Sequence, residues 1–254
     1  MNKAIFRLFC VCLLVGVIQL FLRASTTRPA VQSDQEIPVT VTPLASENGY
    51  AAIEIRCLPV LLNAQNQLEP IACTLRNKST KNVTSASLTY SILFDENSGS
   101  AKDTRTLTME SLIHPDFRKS YKPVAPGRDS TIRSSKSDFG YRRPKKIEVL
   151  VDYVQFEDGT TIGPDTVGSK VINDMREGAT AYKNWLVKEY INNGRSLAGI
   201  VSRLERDDQP SMAELGIFNG NSNQELGARG YRNAVRKLIA TRGSAEIRTF
   251  LPDH

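Results

Sequence analysis

Hydrophobic residues recur at every second position through the middle of the chain, which is the period of a half-buried β-strand. In the clearest run, one side of the strand is apolar and the other mostly polar: Leu88, Tyr90, Ile92 and Phe94 alternate with Thr89, Ser91 and Leu93. Further strands are predicted at 104–112, 130–134 and 147–156, and the last is followed by Glu157-Asp158-Gly159, a tight-turn sequence. No helical period interrupts residues 37–165, so we predict an antiparallel β-sandwich there.

Two shorter runs, 53–57 and 71–75, alternate in the same way and predict a hairpin. If they pair antiparallel about Gln65, Cys57 faces Cys73. The same register pairs two apolar residues, Ile55 and Leu75, and two residues of opposite charge, Glu54 and Arg76. These are the only cysteines beyond the N-terminal segment, so we predict a Cys57–Cys73 disulfide, with two buried free thiols as the alternative.

After Pro164 the hydrophobic period changes to three or four residues, which predicts a helical region over 166–254. The first helix ends at Asn192-Asn193-Gly194, and a second begins with Ser196 as N-cap and continues to about Arg206. A third runs from near Ser222 to Thr241, with Gly243 beyond its end. The apolar side of this third helix is predicted to carry Leu226, Tyr231, Val235, Leu238 and Ile239.

The N-terminus has the plan of an export signal, because Lys3 and Arg7 precede an apolar run from Leu8 to Leu22. That run is shorter than the roughly 20 apolar residues of a spanning helix, which favours a cleaved signal peptide at 1–24. The alternative is an uncleaved N-terminal anchor. Residues 25–36 are predicted to form a flexible spacer. Either way the protein is expected to be exported: periplasmic, secreted or tethered to a membrane and facing outward.

Residues that commonly carry catalysis are scarce. The chain has two histidines, His114 and His254, and no Gly-x-Ser-x-Gly elbow, phosphate-binding loop or dinucleotide fingerprint. Asp95, Asn97 and Asp103 suggest a calcium loop, but the EF-hand pattern fails. We therefore predict a protein that is not an enzyme and uses no cofactor or metal. The alternative is a glycan-acting hydrolase whose carboxylate pair would come from Glu157, Asp158 and Asp165.

Positive charge is concentrated between Arg118 and Lys146, where ten basic residues stand against two acids. The densest part supplies four candidate polyanion contacts: Arg142, Arg143, Lys145 and Lys146. Outside the cytoplasm the available polyanions are acidic glycans and lipid headgroups rather than nucleic acid. The alternative is an exposed strand edge on which lysines discourage aggregation. Over the whole chain the formal net charge is +6, and two sequences, Asn77-Lys78-Ser79 and Asn82-Val83-Thr84, match the N-glycosylation pattern.

The turns and strand ends resemble those of immunoglobulin or fibronectin-type-III-like domains. The resemblance rests on Asn77-Lys78-Ser79, Ala125-Pro126-Gly127-Arg128 and the segment Val154-Gln155-Phe156-Glu157-Asp158-Gly159-Thr160. More narrowly, the chain is similar to uncharacterised exported bacterial proteins in which such a domain precedes a helical tail. The implied fold is α+β, mainly β with C-terminal α: an antiparallel immunoglobulin-like β-sandwich followed by two or three helices. We expect a non-catalytic binding or interaction module, with an unknown protein, an acidic glycan or a lipid headgroup as partner. The third possibility is a membrane-anchored scaffold.

Overall fold

The computed structural model describes residues 34–44, 52–95, 102–111, 122–140, 142–206, 210–217 and 220–251. The segment predicted to be a signal peptide or anchor, residues 1–24, lies outside the described residues. Within the predicted spacer 25–36, Gln35 and Glu36 belong instead to the first strand. The reason is their neighbour Ile37, which is fully buried and draws this end of the spacer onto the core.

The described strands form three sheets. They are β1 (Gln35–Ile37), β2 (Val39–Thr42), β3 (Ile53–Cys57), β4 (Val60–Leu62), β5 (Gln67–Leu68), β6 (Ala72–Asn77), β7 (Val83–Phe94), β8 (Lys102–Glu110), β9 (Asp129–Arg133), β10 (Ser137–Asp138), β11 (Pro144–Phe156) and β12 (Thr161–Ile162). The sheet orders are β1-β4-β5-β10, β12-β11-β7-β8 and β3-β6-β9, and β2 pairs with β11. Every strand pair is antiparallel except β2–β11, which is parallel.

The inner faces of the three sheets share one hydrophobic core. On β7 the alternation predicted from the sequence places Leu88 and Ile92 in this core, both fully buried. Serine and threonine dominate the opposite face, which also carries Leu93, and its Ser85–Ser87 end lies beneath the first helix. The predicted α+β class, a β-sandwich followed by helices, is confirmed.

The predicted register between 53–57 and 71–75 is confirmed, since Cys57 faces Cys73 and Glu54 faces Arg76. A disulfide joins the two cysteines, whose Cα atoms lie 4.1 Å apart. The connection has the predicted length, but it is not a simple turn about Gln65. It contains β4 and β5, which leave this sheet and join the one that contains β1.

Asn77, at the end of β6, is fully buried and holds the β6–β7 turn. Its Nδ2 donates to the carbonyl oxygens of Lys81 and Val124, both at 2.7 Å. Its Oδ1 accepts from the backbone and the hydroxyl of Ser79. The tripeptide that matches a glycosylation site is therefore a structural turn, because Asx side chains readily bond the backbone two residues on.

The helices begin and end close to the predicted positions. They are α1 (Gly168–Asn192), α2 (Leu197–Glu205) and α3 (Ser222–Arg242), followed by a 3₁₀ helix (Ser244–Phe250). Ser196 caps α2 by accepting from Gly199 N, and Gly243 ends α3 with a φ of 89°. The prediction for Leu226 is wrong, since this side chain is 48% exposed. No described helix is long and apolar enough to cross a membrane.

Two glycines allow α1 and α3 to cross at backbone contact. A Cβ on Gly178 would lie 1.8 Å from the carbonyl oxygen of Gln224, and one on Gly227 would lie 1.9 Å from that of Met175. This crossing turns Gly227 and its neighbour Ala228 toward α1, which is why Leu226 points to solvent. A second hydrophobic core surrounds the crossing, with Tyr182, Trp185, Leu186, Tyr231, Val235 and Ile247 among its members.

Candidate functional site

Two aromatic rings and two arginines meet at one end of the sandwich. Phe94 ends β7 and Phe139 follows β10, and their rings contact edge to face with centroids 5.3 Å apart. The guanidinium carbon of Arg142 lies 4.5 Å from the Phe94 centroid and 5.8 Å from that of Phe139. Arg105 of β8 lies over Phe139 as well, at 5.2 Å. Such cation–ring contacts hold a guanidinium in place without neutralising its charge. We call these four residues the arginine–aromatic cluster.

The β4–β5 turn fixes the backbone that carries Arg142. Asn66 lies in that turn with a φ of 61°, a left-handed conformation that asparagine tolerates better than most residues. Its Nδ2 donates to the carbonyl oxygen of Arg142 at 2.9 Å and also to that of Gly140. Asp138 accepts from Gly140 N at 2.8 Å. The position of Arg142 therefore depends on two turns, which are distant in sequence and joined by one side chain.

The four predicted polyanion contacts separate into two kinds. Lys146 donates to Glu148 at 2.9 Å, and this hydrogen bond lowers the pKa of the Glu148 carboxyl. Arg143 and Lys145 are exposed, and neither they nor Arg142 pairs with a carboxylate among the described residues. Three of the four cations thus have no carboxylate partner among the described residues, and only Lys146 is in an ion pair. Part of the basic stretch, Arg118 and Lys119 included, lies outside the described residues.

Arg105 differs from Arg142 because its charge is compensated. Asp103 accepts from its Nε and Nη2 at 3.2 and 2.9 Å, and its Nη1 donates to Ser137 at 3.0 Å. Burial alone lowers the pKa of Arg105, but the bonds to Asp103 outweigh it and the pKa is raised. Burial also raises the pKa of Tyr90, the residue opposite Arg105 on β7. Arg105 therefore supports the ring of Phe139 and contributes little net charge to the surface.

The carboxylates suggested for a hydrolase are each engaged elsewhere. Glu157 accepts from Asn82, and Asp158 accepts from Thr160 and pairs with Lys81 at 2.5 Å. Asp165 accepts from the backbone N–H of Ser169 in the first turn of α1. These contacts are those of turns and a helix cap, and they do not bring the three carboxylates together around a cleft.

One residue of the suggested calcium loop, Asp103, already has a cationic partner. Asp103 is bound by Arg105, while Asn97, His114 and His254 lie outside the described residues. Within the described residues no group of three or more histidine, cysteine or acidic side chains is arranged to hold a metal ion.

Asp152, which is fully buried and is the most deeply buried acid among the described residues, has no role in the sequence-based predictions. It is 0% exposed, at an irregularity of β11, and accepts from the N–H and hydroxyl of Thr166 at 2.8 and 2.7 Å and from Val167 N at 3.0 Å. Burial by itself raises the pKa of this carboxyl, but the hydrogen bonds outweigh it and the pKa is lowered. Asp152 thus anchors the start of α1 to the sheet. The signal in the sequence is an acid within the otherwise apolar run 149–154 of β11.

A second polar contact joins the sheet to the middle of α1. Arg176 pairs with Glu110 of β8 at 2.8 Å and donates to Ser85 of β7 and Gln155 of β11 at 3.0 and 2.7 Å. The Glu110 side chain is only 1% exposed, so removal of the Arg176 charge would take a cationic partner away from a buried carboxylate. Asp152 and Arg176 together fix the helical region on the outer face of the β7 sheet.

An open groove and a smaller cleft border α1. An open groove of about 730 Å³ runs along its exposed side beside Trp185, Glu189 and Glu214. A smaller cleft of about 320 Å³ lies where β8 and β9 approach α1 and α3. Sequence reasoning could not find either of them, because each depends on how separate elements pack against α1.

No protein-family model, curated protein or solved structure matches the chain.

Proposed function

We propose that the protein is an exported binding module that works without a cofactor and contacts a polyanion through Arg142, Arg143 and Lys145. The observation that carries the proposal is the environment of Arg142. Its guanidinium is held by the rings of Phe94 and Phe139 rather than by a carboxylate, so its position is set while its charge stays available. Arg143 and Lys145 add two exposed cations on the same short segment.

Export agrees with the chemistry of the chain. A disulfide persists in an oxidising compartment, and the Cys57–Cys73 bridge supports such a location. Acidic glycans and anionic lipid headgroups are the polyanions met there, and both present several negative groups to a cluster of cations. The predicted resemblance to immunoglobulin or fibronectin-type-III-like domains agrees with a binding role, because such sandwiches present loops and strand ends to their partners.

The test is retention of the purified protein on immobilised heparin at low ionic strength. We expect the variant with Arg142→Ser, Arg143→Ser and Lys145→Ser to elute at a distinctly lower salt concentration than the wild type. Anionic and neutral lipid vesicles, used in a separate sedimentation assay, distinguish a headgroup from a glycan as the anion.

A matched control removes three cations that already have acidic partners. Lys78→Ser, Lys136→Ser and Lys170→Ser lower the net charge equally, since these lysines pair with Glu54, Glu69 and Asp174. If the proposed site is correct, the control is retained on heparin more strongly than the triple variant that includes Arg142→Ser. Equal retention of the two variants would show that only net charge matters and would rule the site out.

A further inference from the structure

The 320 Å³ cleft lies at one edge of the sandwich, and its β8 lining begins three residues beyond Arg105 of the arginine–aromatic cluster. Its walls include residues 108–110 of β8 and 130–133 of β9, with Met175 from α1 and Gly230 and Tyr231 from α3. Successive side chains of a strand point to opposite faces, so a run of consecutive lining residues means that the strand presents its backbone edge. Two strand edges from different sheets therefore border the same cleft.

The hydrogen bonds of β9 show which backbone groups face the cleft. Ser134 N donates to Ile71 O, and Asn77 N donates to Arg128 O, both at 3.0 Å. In an antiparallel ladder the residues that bond the partner strand alternate with residues that do not. The N–H and C=O groups of Ser130 and Ile132 therefore point toward β6, and those of Thr131 and Arg133 point away from it. Among the described residues, nothing bonds the outer backbone groups of Thr131 and Arg133.

Gly230 is the second observation. A glycine inside a helix costs about 1 kcal/mol relative to alanine. At Gly227 the close approach of α1 explains that cost, but a Cβ on Gly230 would meet nothing within 4 Å. Gly230 lines the cleft, and an added side chain there would reduce its volume. Met109 and Met175 line it too, and flexible thioether side chains adapt well to an incoming apolar group.

We propose that this cleft binds an extended segment of a partner polypeptide, which adds as a strand to the outer edge of β9. The segment pairs through its backbone with Thr131 and Arg133 and places one apolar side chain beside Gly230 and the two methionines. Arg133 is exposed and has no carboxylate partner among the described residues, so an acidic residue in the segment complements it. Strand addition of this kind takes its affinity from main-chain hydrogen bonds and its specificity from side-chain pockets. This second site is independent of the polyanion contact.

The experiment starts with selection of a displayed library of random nonapeptides on the purified protein. A recovered peptide is synthesised, and its Kd is measured for three variants. Thr131→Pro removes an outward N–H, a change that edge strands tolerate, and Gly230→Leu fills the cleft. Each is expected to weaken binding by about tenfold or more, the equivalent of one lost hydrogen bond or apolar contact. Thr131→Ala keeps the backbone and is expected to bind as the wild type does.

Two further measurements use the unaltered protein, so they do not depend on how a variant folds. N-methylation along the peptide is expected to abolish binding at alternate positions and to be tolerated between them, because a paired strand directs every second N–H to its neighbour. In the free protein, the amides of Thr131 and Arg133 are expected to exchange with solvent much faster than those of Ser130 and Ile132.

Three outcomes would overturn the proposal. The first is a selection that enriches no peptide. The second is a peptide that binds Thr131→Pro and Thr131→Ala equally or shows no alternation on N-methylation. The third is slow amide exchange at Thr131 and Arg133 in the free protein, which would mean that the chain itself already covers this edge.

Discussion

Replacing Gly178 by alanine would place a methyl group 1.8 Å from the carbonyl oxygen of Gln224 and 2.6 Å from its carbonyl carbon. Ordinary van der Waals contact begins at 3.4 Å, so α1 and α3 would have to separate by about 1.6 Å at their crossing. Neither obstacle is a side chain that can rotate away, because both atoms belong to the backbone of α3. The strain therefore acts on the whole helix pair and on the core beside it.

The magnitude follows from two opposing effects. Overpacking costs about 1–3 kcal/mol, and a contact with rigid backbone belongs at the upper end of that range. The higher helix propensity of alanine offsets up to about 1 kcal/mol of this loss in stability. The free energy of unfolding is therefore expected to fall by about 2 kcal/mol. For a chain of this length, that corresponds to a Tm lower by roughly 4–8 °C.

Trp185 is the only tryptophan, and it lies in the helical core, so its fluorescence during thermal unfolding reports on this part of the molecule. Gly230→Ala is the matched control: it adds the same methyl group to α3 where no atom lies within 4 Å, and it is expected to raise the Tm slightly. A Gly178→Ala protein at least as stable as the wild type would refute the backbone contact between α1 and α3.

Two other predictions concern contacts that fasten the fold. Asp152→Asn should lower the free energy of unfolding by about 2–3 kcal/mol at neutral pH, because Thr166 and Val167 donate to this carboxylate. Folding lowers the pKa of Asp152, so its contribution to the free energy of unfolding is complete above an unfolded pKa of about 4 and is lost as the pH falls through the folded value. The free energies of unfolding of the wild type and the variant, measured in urea, should therefore converge toward acidic pH. A difference that stays constant with pH would contradict this role. Cys57 and Cys73 are 16 residues apart in sequence, and reduction of their disulfide should lower the free energy of unfolding by about 3 kcal/mol. A urea midpoint that reductant leaves unchanged would argue against a stabilising disulfide.

Local pattern was enough to predict much of the fold. The strand alternation, the register that brings Cys57 to Cys73 and the cap at Ser196 depend on residues near one another in sequence, and all three are confirmed. The strands β4 and β5 are too short to show a period of their own. Leu226 was placed wrongly because its environment depends on the glycine crossing, which joins two helices about 50 residues apart in sequence.

The sequence predicts which cations could form the candidate site, but not which side chains surround them. The basic stretch identified Arg142, but the rings that hold it come from β7 and from the residue after β10. Whether a cation meets a carboxylate also depends on tertiary structure: Lys146 does, and Lys145 does not among the described residues. The edge of β9 shows no chemical motif, because the groups that we propose bind a partner strand there belong to the backbone.

The buried amide of Asn77 has a practical consequence for producing the protein. Glycan transfer in a eukaryotic secretory pathway would attach a sugar to the nitrogen that now donates to Lys81 and Val124. A sugar added to the nascent chain would have no room at this turn and would trap the molecule before folding is complete. A bacterial host, or Ser79→Ala in a eukaryotic one, avoids that outcome.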